Sequence, residues 1–242
     1  MQNFGNLPSI SFILNIEYVD GTSKIHHSEK GMKALISEYK YAGEYDGEFI
    51  DYSNENIDQE LGELSSFDFP DNVSLEKTLV EVKLQEEIKI ANVYAHDDYT
   101  IIDFGQNFAG IISINSALLN EGEEIVIRHG EILNNDGSLY TTNLRKAKAT
   151  LSYKKGKLNH IYTPRFTYMG FRYIEIRGVK YVDGLLKAHA IYTAMNRTGY
   201  FTCSNPLIDR LYQNQVWGQK SNYVEVPTDC PQRDERLGYT GD

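Results

Sequence analysis

TIIDFGQNFAGIISIN, residues 100–115, holds two apolar runs of strand length, 100–104 and 110–115, with Gly105 breaking the sequence between them. Similar runs recur at 88–94, 124–128, 151–153, 171–177 and 186–192. Gly122, Asp136-Gly137, Gly156 and Gly178 punctuate them. Many short strands separated by turn residues at regular spacing predict a β-sandwich. No helical periodicity of useful length competes between residues 80 and 195, so the fold class is mostly β.

Toward the N-terminus, Ile10, Phe12, Leu14, Ile16 and Tyr18 alternate with smaller or polar residues, the period of a strand with one buried face. Asp20-Gly21 is a hairpin turn signal, and residues 22–26 can return. A lone hairpin is not stable in water, so this segment reads as the tail of a larger sheet. Residues 53–77 are polar and acidic with little periodicity. They predict a long surface connection and a domain boundary near residue 75.

Toward the C-terminus the pattern changes. Asn205 can cap a helix, with Pro206 in its first turn. Ile208, Leu211, Tyr212 and Val216 then share one face at spacing three and four. A helix of about four turns from residue 206 to near 223 is expected, opening a helical domain of which residues 206–242 are only the start.

Composition narrows the function. The net charge of −10 argues against nucleic acid and against an anionic membrane surface, since both need clustered Lys and Arg. The 18 tyrosines suit strands and half-buried surfaces more than sugar platforms, and Tyr168 and Tyr173 are read as core or interface. Cys203 and Cys230 show no metal-ligand spacing and are expected to be free thiols in a reducing compartment. The N-terminus lacks the basic and apolar regions of a signal peptide, so a cytoplasmic protein is expected.

The most chemical stretch is DCPQRDERLGYTGD, residues 229–242, with the carboxylates Asp229, Asp234, Glu235 and Asp242 around Arg233 and Arg236. Close carboxylates repel, so at least one tends to hold its proton. A protonated carboxyl beside ionised ones is what glycoside cleavage requires. A solvated charged loop with Arg–carboxylate pairs accounts for the same composition. His129 and Glu131 share a strand face and are expected to form a hydrogen-bonded structural pair, and His26-His27 a solvated strand end.

VPTDCPQRDERLGYTGD (226–242) resembles the signature of bacterial α-L-rhamnosidases of glycoside hydrolase family 78, a DCPQRxERxGWxGD-like run. The resemblance extends through DFGQNFAGIISI (103–114), RHGEIL (128–133), DGSLYTTNLRKAKATLSY (136–153), PRFTYMGFRYIEIRG (164–178) and GYFTCSNPLIDRLYQNQVWGQKSN (199–222). Residues 16–49 look like the end of that family's N-terminal carbohydrate-module-like sandwich. It implies three parts: residues 1–75, a partial N-terminal β-sandwich and connection; 76–197, the rhamnosidase β-sandwich; and 198–242, the first helix of an incomplete (α/α)6 barrel. It further implies Glu235 as general acid, and Asp229, Arg233 and Asp242 as residues that bind rhamnose hydroxyls or tune the acid. Tyr239 stands where the family has Trp and can still cover a sugar face. Asp234 is read as solvated, and residues 103–107 as a structural turn. The implied reaction is inverting hydrolysis of terminal α-L-rhamnose from a rhamnosylated glycoside, without cofactor or metal. The implied base is a second carboxylate further along the barrel, so this fragment, truncated at both ends, is expected to be inactive by itself. The alternative is a non-catalytic carbohydrate-binding or scaffold β-sandwich.

Overall fold

The computed structural model describes residues 9–28, 31–66, 80–236 and 238. The chain forms two compact units: Met1–Ser37 with Asn56–Glu76, and Glu38–Glu55 with Lys77–Asp242.

In the smaller unit, β1 (Ile13–Glu17) and β2 (Ser23–His27) form the expected hairpin. Its turn uses Gly21 at φ +83°, and Asp20 Oδ1 accepts from Thr22 N–H. Ile13, Leu14 and Ile25 are exposed along it, and so are His26 and His27. β3 (Lys33–Leu35) belongs to this unit, whereas β4 (Tyr39–Gly43) and β5 (Gly47–Asp51) belong to the larger one. β6 (Glu60–Glu63) pairs antiparallel with β3. The stretch expected to be plain connection therefore contains a strand. The compact units also differ from a single break near residue 75, because 38–55 leaves the first unit altogether.

The larger unit adds β7 (Val82–Ile88), β8 (Asn92–Ala95), β9 (Thr100–Asn115), β10 (Glu124–Gly130), β11 (Thr150–Lys154), β12 (Ile161–Tyr162), β13 (Met169–Arg177) and β14 (Leu186–Thr193). The sheet order is β4-β5-β11-β10-β13-β9-β14-β7, with β8 and β12 also on β9. β5 and β11 run parallel, and the other pairs are antiparallel.

The two expected strands at 100–104 and 110–115 are one long strand, bent at Gly105. Gly105 sits at φ +73° and donates its N–H to Asp103 Oδ1 at 2.7 Å. Opposite the bend, β13 slips register between Phe171 and Tyr173. The extra residue, Arg172, turns to make a two-pronged pair with Asp103, Nε to Oδ1 at 2.8 Å and Nη2 to Oδ2 at 2.9 Å. That pair holds the Asp103 carboxyl below its ordinary range and fixes the bulge. On both sides of the bend successive residues of β9 are buried, so both faces of the sheet are covered. The core holds Phe104, Phe108 and Phe171 as an aromatic cluster, with Ile102, Ile112, Ile127 and Ile174 around it.

The fold is mostly β and sandwich-like, followed by one helix. α1 (Pro206–Ser221) starts where the sequence placed it: Asn205 Oδ1 accepts from Leu207 N–H at 3.0 Å, and Pro206 opens the first turn. Its C-terminal half lies on the sheet, where Trp217 packs against the core and Ser221 Oγ accepts from Ala109 N–H of β9. Its N-terminal half leaves Leu207, Ile208 and Leu211 exposed. Among the described residues, no helix is long and apolar enough to cross a membrane.

Candidate active site

After α1 the chain makes a tight hairpin, β15 (Tyr223–Val224) and β16 (Val226–Pro227). Glu225 at its tip takes φ +69°, and its N–H donates to Thr193 Oγ1 at the end of β14. Buried Thr228 then ties back to the helix end, its N–H donating to Asn222 O at 2.8 Å. These contacts deliver residues 229–236 onto the sheet.

Two buried anchors hold that segment. Pro231 lies on β13 at Gly170, where a Cβ would stand 2.7 Å from the proline Cγ and 2.9 Å from Gln232 N. Only glycine allows that approach. Arg236 is 5% exposed, and its Nη1 donates to Glu44 O at 3.0 Å and to Tyr168 O at 2.6 Å. The guanidinium lies over the Tyr168 ring at 4.3 Å and the Tyr45 ring at 5.4 Å. Burial lowers its affinity for its proton, and the two carbonyls and two ring faces offset part of the desolvation. Beneath lies buried His129, whose Nδ1–H donates to Ala149 O at 2.8 Å. Burial, with the Arg236 charge adding to it, pushes His129 down to about 4, so the imidazole is neutral at pH 7.

Between the anchors stand the charged groups. Arg233 donates through Nε to Cys230 Sγ at 3.0 Å and through Nη2 to Asp229 Oδ2 at 3.1 Å, and its Nη2 forms an ion pair with Glu235 Oε2 at 3.0 Å. Arg145, from the loop before β11, donates through Nη1 to the same Glu235 Oε2 at 2.7 Å. Hydrogen bonds from the Cys230 thiol and from Arg233 hold the Asp229 carboxyl low. Burial pushes the Cys230 thiol up, so it stays protonated and is no nucleophile at neutral pH. Asp229, Cys230 and Glu235 present ligand atoms within 4.8 Å of one another. The Arg233 guanidinium touches all three and already supplies the positive charge.

The structure thus brings together Asp229, Arg233 and Glu235 of the expected site residues. Tyr239 and Asp242 lie outside the described residues. The Arg233 guanidinium stands between Asp229 and Glu235. Two expectations need correction. Asp234 is not simply solvated: its Oδ1 is shielded from solvent without a hydrogen-bond partner. His129 and Glu131 have separate partners, since Glu131 accepts from Asn107 Nδ2 at 2.7 Å and Asn143 Nδ2 at 3.1 Å. Sequence reasoning missed Arg145, which has no local signal, and the role of Gly170, which a glycine inside an apolar strand does signal.

Comparison with known proteins places this geometry in a family. Residues 94–193 match the bacterial alpha-L-rhamnosidase concanavalin-like domain, and residues 196–242 match the bacterial alpha-L-rhamnosidase 6 hairpin glycosidase domain. The alpha-L-rhamnosidase of Streptomyces avermitilis is 33% identical over 99% of this chain and 24% of its own length. The crystal structure of the Streptomyces avermitilis alpha-L-rhamnosidase complexed with L-rhamnose superposes with a TM-score of 0.81 at 32% identity, over 95% of this chain and 23% of that one. That of the Aspergillus terreus enzyme gives 0.80 at 35% identity, over 95% and 28%. The chain spans about a quarter of the length of the curated relatives it matches. The two adjoining domain matches, together more than half of the chain, agree with the 33% identity over 99% of its residues, and the chain belongs to the bacterial α-L-rhamnosidase family.

Proposed function

We propose that the chain forms the sheet domain and the opening of the catalytic domain of an α-L-rhamnosidase, an inverting glycoside hydrolase that releases terminal α-L-rhamnose from a rhamnosylated glycoside. In this reading residues 198–242 begin an (α/α)6 barrel. Glu235 is the general acid that protonates the leaving oxygen. Asp229, Arg233 and Asp242 bind rhamnose hydroxyls or tune the acid, and Tyr239 can cover the apolar face of the sugar.

The observation that carries this reading is the mounting of Glu235. Its half-exposed carboxyl sits on a segment locked by buried Pro231 on one side and buried Arg236 on the other. A general acid works when it stands within hydrogen-bond reach of the leaving oxygen and is held there. The bound L-rhamnose of the Streptomyces avermitilis relative supports the sugar class. Free Cys203 and Cys230 are in keeping with a reducing, cytoplasmic setting.

Inversion needs a second carboxylate to activate water on the opposite face of the sugar. The resemblance assigns that group to a later part of the barrel. The 242-residue polypeptide by itself is therefore expected to give no turnover. The test is hydrolysis of p-nitrophenyl α-L-rhamnoside by the natural gene product, beside the α-L-fucoside, β-D-glucoside and β-D-galactoside. Preference for the rhamnoside supports the proposal. Binding of rhamnose that survives E235Q, with no turnover of any glycoside, would favour a binding module instead.

A further inference from the structure

We infer that Arg145, supplied by the sheet domain, is a positioning residue for the Glu235 carboxyl during cleavage of the glycosidic bond. The inference rests on the function proposed above.

Two guanidinium groups reach Glu235, and both meet Oε2: Arg233 Nη2 at 3.0 Å and Arg145 Nη1 at 2.7 Å. Arg233 belongs to the same short segment and also holds Asp229 and Cys230. Arg145 comes from 90 residues earlier and makes the shorter contact. Together they hold the carboxyl by Oε2, which assigns proton delivery to Oε1. In the reaction a proton on Oε1 passes to the glycosidic oxygen as the bond from that oxygen to the anomeric carbon breaks and water bonds to that carbon from the opposite face. The carboxylate formed stays paired with the two guanidinium groups.

The backbone that presents Arg145 is built for placement. Arg145 takes φ 57° and ψ −112°, a conformation that side chains other than glycine adopt at a cost. Such a conformation persists where the surroundings over-determine it. Here Leu144 is buried before it and Ala147 after it, and Ala147 N–H donates to Leu144 O at 3.0 Å. Next to them Asn143 Nδ2 donates to Glu131, which also takes Asn107 Nδ2 from the bend of β9. A strained turn, braced to the sheet on both sides, thus ends in one guanidinium on the acid. The pair is too exposed, 53% and 39%, to repay that strain through folding stability. Placing the carboxyl is the role that the strain fits.

The test uses the natural gene product and two substrates, methyl α-L-rhamnoside and p-nitrophenyl α-L-rhamnoside. An alkoxide leaves poorly without a proton, whereas p-nitrophenolate needs little help, so the two substrates separate acid catalysis from the rest of the reaction. R145A is expected to lower kcat on the methyl glycoside about tenfold or more, with KM changed less than about twofold. On the p-nitrophenyl glycoside the loss stays under about threefold, and R145K recovers part of it. Thermal midpoints of the variants should match the parent. Equal losses on both substrates, or none on either, would overturn the inference. E235Q, run alongside, separates the two ideas. A large leaving-group-dependent loss in E235Q with none in R145A defeats the positioning role alone. No such loss in E235Q defeats the proposed function and the inference with it.

Discussion

Gly170 of β13 lies directly beneath Pro231, close enough that a single added carbon would stand 2.7 Å from the ring. That contact is where the sheet and the acid-bearing segment meet. Gly170→Ala must push backbone at Pro231 and Gln232, and cannot be relieved by a side-chain rotation alone. Overpacking of this kind costs about 1–3 kcal/mol. Urea denaturation of the 242-residue chain should show the midpoint falling with unchanged slope. An unchanged midpoint would mean that the segment is not seated on β13.

Arg236 offers a second handle on the same segment. Arg236→Ala removes the donors to Glu44 O and Tyr168 O and empties the space over two tyrosine rings. Tyr168 O loses its charged donor, at a cost of about 1–3 kcal/mol, while Glu44 O keeps its bond from Thr167 Oγ1, and lost packing adds to the cost. The expected destabilisation is roughly 2–5 kcal/mol. Arg236→Lys should recover part of it, since one ammonium can reach one carbonyl but cannot reproduce the planar fork. A loss below about 0.5 kcal/mol for the alanine variant, the range of an unremarkable surface change, would contradict the buried clamp.

His129 makes stability depend on pH in a defined window. Its folded-state affinity for a proton is depressed, with a pKa of about 4 against 6.5. Between those values the unfolded chain binds more protons than the folded one, so stability falls as pH falls. The contribution is complete above about pH 6.5 and is lost progressively toward pH 4. The total is on the order of 3 kcal/mol. His160, also lowered by burial, adds a contribution of the same sign. His129→Phe gives up one hydrogen bond to Ala149 O but should flatten the slope across this window. Denaturation midpoints at several pH values check it, and an unaltered slope would place the ring in solvent.

The parts of the fold that a reader of the sequence can see are those with local causes. Asn205 and Pro206 announce the start of α1, and Asp20-Gly21 announces the first hairpin, because caps and turns act over two or three residues. Distant pairings leave no such trace. β5 joins the large sheet by lying parallel to β11, about 100 residues away, with Gly47 opposite Thr150. Nothing within residues 38–55 distinguishes that partner from the hairpin just before it. Gly105 was legible as a break but not as a bend inside one strand, since the continuing partner, β13, absorbs the break with its own slip at Arg172. At the site, Glu235 and its neighbours stood out as a crowded charged run, and the family motif ranked them. Arg145 did not, because a lone arginine between Leu144 and Lys146 carries no pattern. Its meaning comes from a backbone turn and a partner 90 residues on.

The most direct test of Glu235 as the acid is the turnover of methyl α-L-rhamnoside by the natural gene product and its E235Q variant, measured as rhamnose released. Loss of a positioned general acid lowers kcat by about 10²–10⁴-fold on a leaving group that needs protonation, and that loss is the predicted result with folding intact. An E235Q protein that folds normally and keeps kcat within about threefold of the parent would contradict it.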